Sequence, residues 1–218
     1  MKDHHIKLTK TDREILHSYE LFMEGLSAYL GEGYELVLHS LEDYSSSAVK
    51  VIHGLHTGRS EGAPLTDLAL SLLDEMDTQE DTQNGSLYFT NNKKGESLRS
   101  TTIPIRGSNN RIIGLLCINF NLNTPFSEYI KNFIPGNDLV PQRTESFPNS
   151  GLELLEDIVS QLQEEVTADK SISSANRNKE IITRLYEKGV YNMKDAVTKT
   201  AKLLGISKNT VYMHLRNL

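Results

Sequence analysis

Apolar residues recur at helical spacing from Ile15 through Leu16, Tyr19, Phe22, Met23, Leu26 and Leu30. Thr11 and Glu14 are spaced as a capping box ahead of them, and Gly31 supplies a stop behind. The period then falls towards that of strands in Tyr34–Glu42 and Ala48–Leu55, parted by the polar stretch Ser45–Ser47. A loop with Gly58, Gly62 and Pro64 leads to a second helix over Leu65–Met76, with Leu68, Leu72 and Leu73 on one face. Three more strands are predicted over Ser86–Thr90, Leu98–Arg106 and Arg111–Asn121, separated by Asn91–Gly95 and Gly107–Asn110. The last of them is nearly continuous in apolar residues, as expected of a central strand covered on both faces. Together these elements describe an α+β domain, one antiparallel sheet of five strands with helices packed on a face.

After Phe133 the pattern breaks. Three of the six prolines (Pro135, Pro141 and Pro148) fall among Gly, Asn and Ser, which marks residues 135–151 as a linker and residues 1–134 as the first domain. Leu152, Leu155, Val159, Leu162 and Val166 then alternate spacings of three and four over about two heptads. Residues 152–169 are therefore either a short dimerising helix or an amphipathic helix packed on its own domain. From 170 to 218 the pattern is wholly helical. Ile181, Ile182 and Leu185 mark a supporting helix, Asp195–Leu204 a second one ended by Gly205, and Lys208–Leu218 a third capped by Ser207. A tight turn containing Gly, with the small Ala201 four residues before it, is what two steeply crossing helices require. Val197, Ala201, Leu204, Ile206, Val211 and Leu215 are expected to form their shared core, making the segment a helix-turn-helix.

Charge sharpens the division. Residues 170–218 hold ten Lys/Arg against three Asp/Glu, while the rest of the chain carries a net charge of −13 within an overall −6. A basic tail on an acidic body points to two partners, with double-stranded DNA as that of the tail. The third helix divides accordingly, with Val211 and Leu215 on one side and Asn209, Met213 and Arg216 on the other, flanked by Tyr212 and Lys208. Ser207, Lys208, Asn209 and Thr210 offer hydrogen-bonding groups at its N-terminal turn, the part of a recognition helix that meets base edges and phosphates. Lys199 and Lys202 are candidate backbone contacts, as are Arg177 and Lys179. The other reading of these residues is a helical hairpin with a solvated basic face.

At these residues the chain resembles known proteins. Ala201–Tyr212 resembles the Fis-type helix-turn-helix of bacterial regulators. Gly33–His39, Gly58-Arg59 with Pro64–Asp67, and Gly114–Phe120 resemble the YheO-like PAS domain. Both matches occur in the family's order over nearly the whole chain. The resemblance implies a transcriptional regulator of the YheO/DauR type, whose best-known member represses D-arginine utilisation genes. Where that family has an Asn, this chain has His53, in His53-Gly54-Leu55-His56-Thr57-Gly58-Arg59, so the resemblance carries over no particular ligand.

Other candidate chemistry lies in the first domain. His39, His53 and His56 with Cys117 are candidate ligand-binding groups, although His53-x-x-His56 in a strand-to-loop segment is no metal signature and loop anchoring is the simpler reading. Cys117 in so apolar a strand reads as a core thiol, and as the chain's single cysteine it suits a reducing cytoplasm. Arg59 can clamp a ligand carboxylate or fix its loop, and Asn119 can bond a ligand or the sheet edge. No catalytic grouping, metal site or glycine-rich phosphate loop is present, and no motif names a cofactor. No apolar run spans a bilayer, and Met1–His5 leads into no signal peptide. The expectation is a cytoplasmic, homodimeric DNA-binding repressor sensing a small molecule, or one whose first domain serves only protein contacts.

Overall fold

In the computed structural model, which describes residues 6–78, 85–131, 133–134 and 145–218, the first helix is capped two residues before the expected Thr11. Helix α1 (Lys10–Leu30) is capped by Thr9, whose hydroxyl accepts the Asp12 N–H at 3.2 Å while the Asp12 carboxylate accepts the Thr9 N–H at 2.9 Å. Asp12 is fully buried and takes further bonds from the Ser108 N–H at 3.0 Å and from Arg111. Both Thr residues fit a capping pattern locally. Asp12 decides between them because its carboxylate is also wanted by the far end of the sheet.

The sheet has strand order β2-β1-β5-β4-β3, all antiparallel, from β1 (Tyr34–Ser40), β2 (Ala48–Ile52), β3 (Ser86–Asn91), β4 (Ser97–Arg106) and β5 (Ile112–Asn121). β5 is central, paired with β1 and β4, as its continuous apolar run implies. Strand alternation sends Leu36, Leu38 and Leu116 to one face, where they join Leu16 and Met23 of α1. Leu115 faces the other way and packs with Ala69, Leu72, Leu73 and Met76 of α2 (Asp67–Thr78). The two helices thus take opposite faces rather than sharing one. Each fully buried Leu contributes about 1.5–3 kcal/mol of transfer free energy, so these clusters hold the unit together. A short helix that the pattern did not predict, α3 (Phe126–Lys131), follows β5.

The chain divides into two units, Met1–Gln142 and Arg143–Leu218, and residues 135–144 of the expected linker lie outside the described residues. In the second unit α4 (Gly151–Ala168) is capped by Ser150, whose hydroxyl accepts the Glu153 N–H at 3.1 Å. Its seam of Leu155, Val159, Leu162 and Val166 is buried against Ile181 and Leu185 of α5 (Arg177–Glu187) and against Val190 and Ala196. The seam is therefore filled within the chain, with only Leu152 left 43% exposed. Helices α6 (Ala196–Leu203) and α7 (Lys208–Leu215) complete the unit, the latter ending three residues before the expected Leu218.

Candidate functional site

In the first unit, a cavity of about 250 Å³ lies between α2, the 53–66 loop and the sheet face opposite α1. Thr57, Arg59, Leu68, Tyr88, Thr102, Cys117 and Asn119 line it. This sheet face is unusually polar for an interior. Glu35 pairs with Asn119, Asn119 with Ser100, and Ser100 with Tyr88, so one row of polar side chains crosses four strands. Glu35 is fully buried, its oxygens accepting the Thr57 N–H at 3.0 Å, the Thr57 hydroxyl at 2.9 Å and an Asn119 amide N–H at 3.0 Å. Those bonds offset the desolvation that a buried carboxylate would otherwise suffer. They also tether the 53–66 loop to β1.

His39 is fully buried behind the cavity, with Nδ1 2.8 Å from Ser47 Oγ and Nε2 3.4 Å from an Arg59 guanidinium nitrogen. Burial, and then the Arg59 charge, lower its pKa to about 4 from an ordinary 6.5. Burial likewise pushes the Cys117 thiol up, and its sulfur lies 3.5 Å from the Thr102 hydroxyl, itself 2.9 Å from the Tyr88 hydroxyl. Of the six candidate ligand groups, Arg59, Cys117 and Asn119 meet at the cavity and His39 backs them. His53 and His56 turn elsewhere. Nδ1 of His53 bonds the Tyr34 carbonyl at 2.8 Å from a positive φ of 54°, and Nε2 of His56 bonds the Glu32 carbonyl at 2.6 Å. Among the described residues, no three His, Cys, Asp or Glu side chains gather as a metal-holding group.

Two buried groups with lowered pKa values, His39 and Asp12, give a pH signature. Asp12 is held well below the carboxylate range, chiefly by the Thr9 N–H, then the Thr9 hydroxyl, the Ser108 N–H and Arg111. Both groups bind protons more weakly folded than unfolded, so the stability they contribute is present above their unfolded pKa and lost on acidification. Stability is expected to fall first between pH 6.5 and about 4 as His39 titrates, then again below the ordinary Asp value of 3.8. Chemical denaturation across pH checks this. A His39→Asn variant should flatten the first window alone, and an unchanged profile would remove His39 from the account.

In the second unit, Ile182, Ala201 and Val211 form a buried core with Val197, Leu204, Ile206 and Leu215 around it, the six helix-turn-helix core positions read from the sequence among them. Gly205 makes the turn at φ 66°, a conformation that favours glycine, and the Ile206 N–H returns to the Ala201 carbonyl at 2.9 Å. Ser207 caps α7, accepting the Thr210 N–H at 3.0 Å, and the two hydroxyls lie 2.8 Å apart. These two side chains therefore brace the N-terminal turn. Lys208, Asn209, Tyr212, Met213 and Arg216 are exposed along one continuous stripe, with Val211 fully buried behind them. Lys202 is exposed and Lys199 half-buried on α6. A short helix presenting cationic, amide and aromatic groups outward from a rigid turn is shaped to enter a major groove.

Residues 9–135 match the family model of the YheO-like PAS domain, and residues 155–216 match that of an HTH domain. The chain is 42% identical over 207 residues to the uncharacterized protein YheO of Escherichia coli K12, covering 95% of this chain and 86% of that one. It is 39% identical over 210 residues to an uncharacterized protein of Haemophilus influenzae, covering 96% and 94%. It is 25% identical over 205 residues to the transcriptional regulator DauR of Pseudomonas aeruginosa, covering 93% and 94%.

Proposed function

The chain belongs to the family of proteins with a YheO-like PAS domain and carries an HTH domain, and from that premise we propose that it is a cytoplasmic transcriptional repressor whose DNA binding answers to a small molecule. The α7 stripe carries the reading. Lys208, Asn209, Tyr212, Met213 and Arg216 face outward on a helix whose other side is core, and the basic charge of residues 170–218 supplies phosphate attraction. Ser207 and Thr210 set the pitch of α7 in the groove, and Lys199 and Lys202 approach the backbone. The relative DauR, named a transcriptional regulator, supports the class, and the repressing sense follows the family resemblance.

The cavity supports sensing. A domain serving only as a spacer would have its interior filled by apolar side chains, whereas this one keeps about 250 Å³ open beneath a polar sheet face. Arg59, Cys117, Asn119 and His39 are the groups that would meet an effector. Its occupancy would bias the 53–66 loop and, through it, the population of the DNA-binding state. A binding selection against genomic fragments with the full chain tests the DNA reading. Affinity for the selected operator should fall steeply with salt, and Asn209→Ala should weaken it by roughly 1–3 kcal/mol. Unchanged affinity in Asn209→Ala and Lys208→Ala would remove α7 from the groove. Loss of repression of a reporter on deletion of the protein decides its sign.

A homodimer is part of the proposal, since a single eight-residue recognition helix reads only a half-site. The α4 seam is filled within the chain, but α1 leaves Leu21, Phe22 and Tyr29 between 55% and 73% exposed. That apolar face also favours the second reading, in which the PAS domain serves protein contacts alone. Phe22→Glu is expected to convert a dimer into a monomer by light scattering, with operator affinity falling at least about tenfold through lost bivalency. A Phe22→Glu protein that remains dimeric would move the interface off α1.

A further inference from the structure

Arg59 stands out within the cavity. Among the described residues its guanidinium meets one side-chain partner, His39 Nε2 at 3.4 Å, and no carboxylate lies within ion-pair distance of it. The acid that shares its sheet face, Glu35, is engaged by Thr57 and Asn119 instead. Arg59 is half-buried, Asp67 lines the same cavity without forming an ion pair to it, and the guanidinium's fork of donors has the geometry of a carboxylate receptor. The same face holds a second unsatisfied group. The Ser100 hydroxyl, 1% exposed between the cavity-lining Leu98 and Thr102, has no hydrogen-bond partner.

Building on the sensing reading above, we propose that the effector is a small carboxylic acid, its carboxylate bound by Arg59 and its body lying along Leu68, Leu98 and Cys117 towards the hydroxyls of Thr102 and Ser100. A carboxylate is favoured over a phosphoryl group because Arg59 and Lys93 line the cavity together with Asp67, a net single positive charge that balances a monoanion but not a dianion. His39 is a positioning residue in this scheme. Neutral at physiological pH, it accepts from Arg59 without competing for the ligand's charge, and Ser47 fixes its ring.

Matched acids and amides test the class, because benzoate and benzamide, or butyrate and butyramide, differ chiefly in charge. In calorimetric titrations of the full chain, the two carboxylates are expected to bind at least about tenfold more tightly than their amides, the margin typical of a charge-assisted fork. Arg59→Gln should abolish that preference, and Arg59→Lys, which keeps the charge but loses the fork, should restore part of it and serves if the Gln variant fails to fold. Ser100→Ala should leave the acid-over-amide ratio in place. Amides binding as well as acids, indifferent to Arg59→Gln, would overturn the carboxylate class while leaving the cavity a ligand site. Binding by none of the four probes would also overturn it. Native mass spectrometry of the purified protein then separates the two failures, since a released neutral molecule preserves sensing and an empty chain removes both.

Discussion

Leu162→Ala should abolish most specific DNA binding at 37 °C, although Leu162 lies on α4, far along the chain from the recognition helix. Leu162 is 1% exposed and sits in the cluster that joins α4 to Ile181 and Leu185 of α5. Ile182, on the same turn of α5, packs directly under Ala201 and Val211. Truncation of a buried Leu costs about 2–5 kcal/mol, and more where the site cannot collapse, as between two packed helices. A domain of this size has a total stability of only about 4–11 kcal/mol, from about 0.05–0.15 kcal/mol per residue. The deletion therefore removes a large share of what holds α7 in place. Thermal unfolding followed by circular dichroism, together with operator affinity against temperature, reads the effect. A variant with wild-type melting and wild-type affinity would show that α4 does not support the DNA-binding core.

Gly54→Ala is expected to disable the response to effector while sparing the operator affinity of the protein in its absence. The Gly54 carbonyl accepts both the Gly58 N–H at 2.8 Å and the Arg59 N–H at 3.0 Å, which winds the loop tightly beneath itself. A methyl group at this position would fall well inside contact distance of the Arg59 carbonyl and 2.8 Å from a Val51 methyl. The first of these is backbone and cannot rotate away. The loop must reopen, and Arg59 leaves the cavity wall with it. Overpacking of this kind costs roughly 1–3 kcal/mol, short of unfolding a unit whose main clusters lie elsewhere. The measurement is operator affinity with and without saturating effector. A Gly54→Ala protein with a wild-type response would mean that the loop takes no part in sensing.

Much of this was legible beforehand because it is local. The helix-turn-helix core from Val197 to Leu215 follows from helical period, a glycine turn and one small residue, all within a short window. The five strands follow in the same way from alternation and turn chemistry, and the central place of β5 from its unbroken apolar run. What escaped depends on partners distant in sequence. The choice of Thr9 over Thr11 as the cap rests on Ser108 and Arg111, nearly a hundred residues away. Glu35 gave no signal as a buried acid, since in Tyr34–Ser40 it occupies what a strand pattern treats as an ordinary polar position. Its partners Thr57 and Asn119 come from a loop and a strand on either side of it. His53 and His56 show the same limit from the other direction. Their spacing drew attention, yet each ring ends on a main-chain carbonyl that only the folded loop brings near. The one distant grouping read from the sequence was Cys117 with His39, His53 and His56, and of these histidines only His39 backs the cavity that Cys117 lines.

The burial of Cys117 in the cavity wall has a practical corollary. It is the chain's single cysteine, and its thiol is both enclosed and held protonated by its surroundings. An alkylating reagent must enter the cavity to reach it, so the labelling rate of the unmodified protein is a clock for how often the thiol becomes accessible. Without engineered probes, that clock can be timed at any salt or temperature, and because a molecule in the cavity would lie against the thiol, the slowing of labelling as a compound is added reads its occupancy directly.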